Sequence, residues 1–336
     1  MGGTYIRQNR PYNPDRPVIM VLIALISLSA WIAGFILSIG FPMAEEPTAT
    51  ILWNIICKNI IDKRIAFGIG FVLMMSGAFL LHRMNYILAL IREKTWLPFL
   101  IYIFLISTNL VFMPFRASSI GVFCLIISIY LLFTSYHIER SEKKAYNTAL
   151  VLALGSLFWS HILWFIPVFW IGMYNFRAFK PRTFVASLLG LVTVYWFVLG
   201  WCVWKNDFGL FTQLFSTITH FEFLALSDYG WIDLVPVFLV AIITIIASLN
   251  VLFYNYTDSI RSRQSLIFLV WLAAVTVVFM LIYNNFAEEF LQISCIPVSI
   301  LTIRFFLVKR SRLTYGIFFF ALLVLTAYLF ARLWNF

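Results

Sequence analysis

Charged residues are scarce in this sequence of 336 residues. They make up 11% of it, whereas about a quarter of an ordinary soluble domain is charged. Hydrophobic residues make up 62%. So few charges cannot cover the surface of a soluble protein of this size, and the composition also excludes disordered and fibrous chains. The sequence therefore predicts that the main solvent of this chain is a lipid bilayer.

Cysteines and sequence motifs of soluble enzymes are also lacking. The four cysteines show neither a CxxC pair nor Cys/His metal spacing, which predicts buried thiols and no Cys/His metal site. No P-loop, GxGxxG, HExxH or GxSxG motif occurs, so soluble-type nucleotide or protease chemistry has no support. We expect no cofactor, with a divalent metal left open. A nucleic-acid partner is not expected either, because the basic residues fall in short clusters between apolar runs.

Long apolar runs are what the sequence has instead. A transmembrane helix needs about 20 mostly apolar residues, and nine runs meet this requirement. They are 17–41, 65–81, 96–114, 119–137, 184–203, 232–254, 265–284, 290–308 and 314–333. A tenth run, 148–176, is too long for one upright helix and too short for two full crossings.

The basic residues indicate how the chain is oriented, because cytoplasmic loops carry an excess of Lys and Arg. Most of the 24 basic residues fall on one face if the amino terminus is cytoplasmic, and most of the 14 acidic residues fall on the other. Both flanks of the 148–176 run are basic, with Lys143 and Lys144 before it and Arg177 and Lys180 after it. The run must therefore enter and return as a hairpin of two short helices.

We therefore predict an all-α, polytopic integral membrane protein of about 11 helical segments, which forms a single transmembrane domain over 1–336. Residues 1–16 are expected to be a cytoplasmic tail. The connections 42–64 and 204–231 are expected to be outer loops with interfacial helices, because their apolar residues recur at helical spacing or among many aromatics. We expect the chain to reside in a bacterial inner membrane.

Candidate site residues are the ionisable groups on the outer side. Glu45 and Glu46 follow the first span, Arg116 precedes the run 119–137, and His161 lies at the tip of the predicted hairpin. An ionisable group in an enclosed apolar hairpin is a functional candidate by default. Secondary candidates in the outer connection 204–231 are His220 and Glu222.

Each candidate also has a structural interpretation. Glu45 and Glu46 fit a solvated loop, Arg116 fits a side chain that extends to the headgroups, and His161 fits a neutral structural histidine. Two other sets of residues have only a structural interpretation. Arg304 is expected to extend to the cytoplasmic headgroups from one turn inside its span, and Glu288 and Glu289 are expected to flank a helix.

Residues 65 to 206 contain a fixed order of parts. A span, a basic turn and a next span are followed by the arginine-led span that begins MPFRASS, a basic loop and the short hairpin, and WCVWKND closes a further span. This order resembles the GT-C class of membrane glycosyltransferases, which use polyprenyl-phosphate sugars. The same stretch also resembles an uncharacterised bacterial family of polytopic inner-membrane proteins.

The GT-C resemblance implies a chemistry for the candidate residues. Members of the class keep an acidic residue in the outer loop after the first helix, where Glu45 and Glu46 lie, and this residue acts as a base or helps to hold a metal. Arg116 and His161 would then face the lipid phosphate. The implied partners are membrane lipid and a polyprenyl-phosphate sugar. The alternative function is a non-catalytic multi-span subunit or scaffold that binds a lipid or a protein, whose identity the sequence does not indicate.

Overall fold

A computed structural model describes most of the chain. The described residues are 17–38, 50, 52–53, 62–91, 93–138, 140–206, 209, 212, 231–253, 259–308 and 311–334. All regular elements among them are helical, as the sequence predicts. The α-helices, in chain order, are α1 (Pro17–Ser38), α2 (Lys63–Leu88), α3 (Leu97–Ser107), α4 (Ala117–Phe133), α5 (Glu142–Ser156), α6 (Ile166–Asn175), α7 (Pro181–Lys205), α8 (Trp231–Phe253), α9 (Ile260–Ile282), α10 (Ala287–Val308) and α11 (Arg312–Trp334).

Six of these helices are long and apolar enough to cross a membrane: α1, α2, α7, α9, α10 and α11. The protein is therefore a multi-pass membrane protein. The other three predicted spans contain α3, α4 and α8; α3 and α4 are shorter apolar helices, and the apolar part of α8 with described side chains is Val237–Phe253. The run 96–114 differs most, because α3 stops at Ser107 and a 3₁₀ turn, Leu110–Phe112, carries the chain onward. Asn109 caps that turn by accepting a hydrogen bond from the backbone N–H of Val111.

Local sequence signals set several helix starts. The side chain of Asp62 accepts a hydrogen bond from the backbone N–H of Arg64 at the start of α2, and that of Ser259 accepts one from Ser262 at the start of α9. Pro98 and Pro181 lie in the first turns of α3 and α7, where a missing N–H costs nothing. These four helices therefore start within a few residues of the predicted starts of the apolar runs.

The predicted hairpin is confirmed by the way in which α5, α6 and α7 pack. Residues later in α5 contact residues later in α7. Tyr146 donates to Thr193 at 3.2 Å, and farther along both helices the hydroxyls of Ser156 and Tyr195 lie 2.6 Å apart. The two helices are therefore parallel, and α6, which links them along the chain, must run in the opposite direction. The hydroxyl of Ser141 accordingly donates to the carbonyl of Ala178 at 3.3 Å, which joins the two open ends of the hairpin.

Helix α10 forms the centre of the bundle. Residues 289 to 307 are all buried, and the helix packs against α3, α4, α8, α9 and α11. Pro297 lies near its midpoint. Because α10 is enclosed by protein, polar groups on it are held away from lipid.

The prediction that Arg304 extends to the headgroups is wrong. Its side chain lies in α10, is only 1% exposed, and donates to the Oδ1 of Asn250 in α8 at 3.4 Å. Packing of α8 against this face of α10 encloses the guanidinium. A cation in the membrane interior needs such a polar partner, because lipid offers none.

Candidate polar site at the outer end of the bundle

The site is built where α4, α10 and the hairpin tip meet. Arg116 is the N-cap residue of α4, with extended backbone after Pro114. Its position depends on α2, since the backbone N–H of Phe115 donates to the carbonyl of Ala66 at 3.1 Å. A Cβ on Gly70 would lie 2.2 Å from the carbonyl oxygen of Met113. Only glycine at position 70 therefore allows the segment that leads to Arg116 to pack so closely on α2.

Two carboxylates in the first turn of α10 bind Arg116. Its guanidinium lies 3.0 Å from the Oε1 of Glu289 and 3.7 Å from the Oε2 of Glu288. The side chains of Arg116 and Glu289 are 14% and 10% exposed, so their contact is shielded, whereas Glu288 is 39% exposed. Carboxylates are also favoured in the first turn of a helix by the helix dipole. Arg116 is therefore held in place rather than extended to the headgroups.

The last helix joins the same ionic cluster. Arg332 of α11 lies 3.9 Å from Glu288 and donates to the hydroxyl of Tyr328 at 2.7 Å. Glu288 and Glu289 begin α10, as predicted, and they also form ion pairs that the sequence did not predict. The sequence carried a signal for this cluster, because all four ionisable groups lie at the predicted outer ends of three spans. Which spans are neighbours was not readable from it.

His161 lies in a 3₁₀ turn, Ser160–Phe165, at the hairpin tip and is completely buried. Four aromatic rings surround the imidazole, with ring centroids between 4.4 and 6.2 Å away; they belong to Trp159, Tyr283, Phe286 and Phe290. Phe290 follows Glu289 directly in α10. The structure therefore brings His161 to the helix end that binds Arg116, as the hairpin prediction requires.

Several buried polar groups at this end have no hydrogen-bond partner among the residues that the structure describes. They are the hydroxyls of Ser118, Ser119 and Ser160, the indole N–H of Trp159 and both ring nitrogens of His161. Ser118 lies one turn before Gly121, whose Cβ position is 3.4 Å from the ring of Trp159. A buried polar group without a partner costs about 1 to 3 kcal/mol. Such a cluster beside an arginine and a helix N-terminus is suited to accept a polar, anionic ligand.

The first outer connection reaches this tip. The hydroxyl of Thr50 donates to the carbonyl of Phe158 at 2.6 Å, and the ring of Trp53 lies 5.1 Å from that of Phe115. Glu45 and Glu46, which precede Thr50, lie outside the described residues, as do His220 and Glu222. Their predicted places in the site remain predictions.

Neither a metal site nor a related protein identifies a function for this chain. Within the described part of the chain, no three His, Cys, Asp or Glu side chains lie close enough to hold a metal ion. Comparison of the chain with protein-family models, with curated proteins and with solved structures finds no match. The function must therefore be inferred from the residues of the site.

Proposed function

We propose that this chain is a membrane glycosyltransferase that uses a polyprenyl-phosphate-linked sugar in the assembly of an envelope glycan. The supporting observation is that the start of α4, which Arg116 caps, and the hairpin tip carry buried polar groups without a hydrogen-bond partner among the described residues. A lipid phosphate matches it chemically, since its oxygens accept hydrogen bonds and its charge suits a guanidinium. The proposed location is a bacterial inner membrane with the amino terminus in the cytoplasm.

The proposed reaction transfers the sugar to an acceptor hydroxyl. A carboxylate of Glu45 or Glu46 takes the hydroxyl proton, the acceptor oxygen forms a bond to the anomeric carbon, and the bond from that carbon to the phosphate oxygen breaks. Polyprenyl phosphate leaves with the bonding electron pair. Arg116, His161 and the hydrogen-bond donors of Ser118, Trp159 and Ser160 stabilise the charge that develops on this leaving group.

Binding of the phosphate must compete with one carboxylate for Arg116. Glu288 is the carboxylate to be replaced, because its contact is longer than that of Glu289 and its side chain is more exposed. Glu289 would keep the guanidinium in position throughout. On this view, Glu288→Gln strengthens binding of the donor lipid, whereas Glu289→Gln weakens it by letting Arg116 move.

The test is transfer from a radiolabelled polyprenyl-phosphate sugar by the purified protein in lipid nanodiscs. Arg116→Gln should reduce turnover by about 100-fold or more, as the loss of a charge-stabilising donor does. Arg182→Gln, an exposed change at the far end of the bundle, is the matched control and should transfer normally. Transfer by a Glu45→Gln, Glu46→Gln double variant at the wild-type rate would contradict the assignment.

A second candidate is a non-catalytic subunit that binds a protein or lipid partner. The specific observation in its favour is that the ionic cluster joins three helices, α4, α10 and α11, which is a structural task in itself. For this function, a folded Ser118→Ala, Ser160→Ala variant would behave as wild type. Changes within 208–226, which lie outside the described residues, would instead release a copurifying protein.

A further inference from the structure

The carboxyl-terminal end of α4 receives cations from two other helices. The ammonium group of Lys144, in the first turn of α5, donates to the carbonyl of Thr134, and Nη2 of Arg261, at the start of α9, donates to the carbonyl of Phe133 at 3.3 Å. Cations are favoured at this end of a helix dipole. The two contacts bring two positive charges to carbonyls of adjacent residues.

These two charges have no carboxylate partner among the described residues. The ion pairs that the structure describes belong instead to the ionic cluster at the opposite end of the bundle. The Nε–H groups of Arg261 and Arg263 are both buried and have no acceptor within the described residues. Capping of α4 explains the Nη2 contact of Arg261 but leaves its charge and that of Lys144 uncompensated. A negatively charged ligand at the exposed side of the guanidinium and ammonium groups would compensate them.

We propose that the adjoining ends of α4, α5 and α9 bind the phosphate group of an anionic membrane lipid. Phosphate oxygens match the guanidinium of Arg261 and the ammonium of Lys144. A lipid is favoured over a free anion because exposed isoleucines border the site. Ile260 precedes Arg261 and is 64% exposed, and Ile138, which follows α4, is 37% exposed. Their side chains would contact the acyl chains while the headgroup binds the cations.

The site lies on the face that the basic residues assign to the cytoplasm, where anionic lipids attract such residues by about 1 kcal/mol each. This lipid site is independent of the proposed transferase site. Lys144 lies at the open end of the hairpin Glu142–Asn175, and His161 lies at the opposite end, at the hairpin tip. Failure of one proposal therefore leaves the other untouched.

Native mass spectrometry of the purified protein in phosphatidylcholine nanodiscs, with increasing phosphatidylglycerol, tests this site. The wild type should retain one phosphatidylglycerol more tightly than the rest. Lys144→Met and Arg261→Met should each weaken its binding about fivefold. The control Arg182→Gln removes an exposed charge from the same face and should change the retention little. Lys144→Arg and Arg261→Lys keep the charge and should retain the lipid.

Two results would overturn the proposal. Equal weakening by Arg182→Gln would show that the lipid responds to the general surface potential and not to a site. The second arm adds inorganic phosphate to the protein in phosphatidylcholine alone and follows thermal unfolding. If phosphate stabilises the wild type as much as phosphatidylglycerol does, and Arg261→Met removes this effect, the site takes a free anion and not a lipid.

Discussion

The guanidinium of Arg116 lies 3.0 Å from the carboxylate of Glu289, although 173 residues separate the two in the chain. The contact joins the start of α4 to the start of α10, the helix at the centre of the bundle. Arg116 is also the residue to which the proposed function assigns the lipid phosphate. The same contact therefore stabilises the fold and positions the guanidinium on which the proposed reaction depends.

Loss of Glu289 should cost more stability than loss of Glu288. Glu289→Gln leaves a shielded guanidinium without its nearest carboxylate, for which about 3 kcal/mol is expected. Glu288 is more than a third exposed, so Glu288→Gln should cost less than about 1 kcal/mol. The measurement is reversible unfolding of the purified protein in mixed micelles with increasing denaturing detergent. Equal losses for the two variants would show that the 3.0 Å contact is not the stronger one.

Replacement of His161 by phenylalanine should stabilise the protein and impair its function. Both ring nitrogens are buried without a partner among the described residues, and phenylalanine keeps a ring among the four aromatic neighbours. We expect a gain of about 1 kcal/mol in the free energy of unfolding, with reduced transfer from the labelled donor. Phe290→Leu, which opens a cavity beside the same ring, should destabilise and shows that the assay senses this packing. A less stable His161→Phe variant would mean that the imidazole makes favourable contacts of its own.

Gly70 and Gly68 offer a matched pair on α2. A Cβ at position 70 would overlap the carbonyl oxygen of Met113, whereas a Cβ at position 68 would meet no atom within 4 Å. Gly70→Ala should therefore displace the segment that leads to Arg116 and lower both stability and donor binding. Gly68→Ala should leave binding unchanged and raise stability slightly, because alanine favours a helix. Thermal unfolding and a donor-lipid binding assay compare the two, and similar effects would contradict the close approach of Met113 to α2.

If residues 142–175 form a hairpin, the residues at the start of α5 and just after α6 must lie on the same side of the membrane. Single cysteines at Lys143 and Arg177, which are both exposed, in a background without the four native cysteines, should react with an impermeant maleimide from the cytoplasmic side only. A cysteine at Asp62, at the start of α2, should react only from the other side. Labelling of positions 143 and 177 from opposite sides would show that the run 148–176 crosses the membrane once.

The hairpin was predictable because it depends on charges that are local in sequence. Lys144 and Arg177 flank an apolar run of the wrong length, and the preference of basic residues for the cytoplasm leaves one solution. The ionic cluster was not predictable in this way. Glu289 looks like any acidic residue that ends a loop until α10 is placed beside α4, and helix neighbours are set by packing over the whole bundle.

The error on Arg304 has a similar origin. Its place one turn from the end of an apolar run is typical of a side chain that extends to the headgroups. That rule assumes that the helix faces lipid, and α10 does not. Sequence hydropathy cannot separate an enclosed span from a lipid-facing one when both are apolar all round.

Pro297 makes the middle of α10 easier to bend. Proline has no N–H to donate, so the carbonyl of Ile293 lacks its usual helical hydrogen bond. The helix is therefore weakest between Glu289, near one end, and Arg304, near the other. Bending at that joint moves the outer carboxylates relative to the inner guanidinium without unfolding either half. Under the proposed function, a ligand that displaces Arg116 would therefore be expected to bend α10 at Pro297 rather than to shift the whole helix.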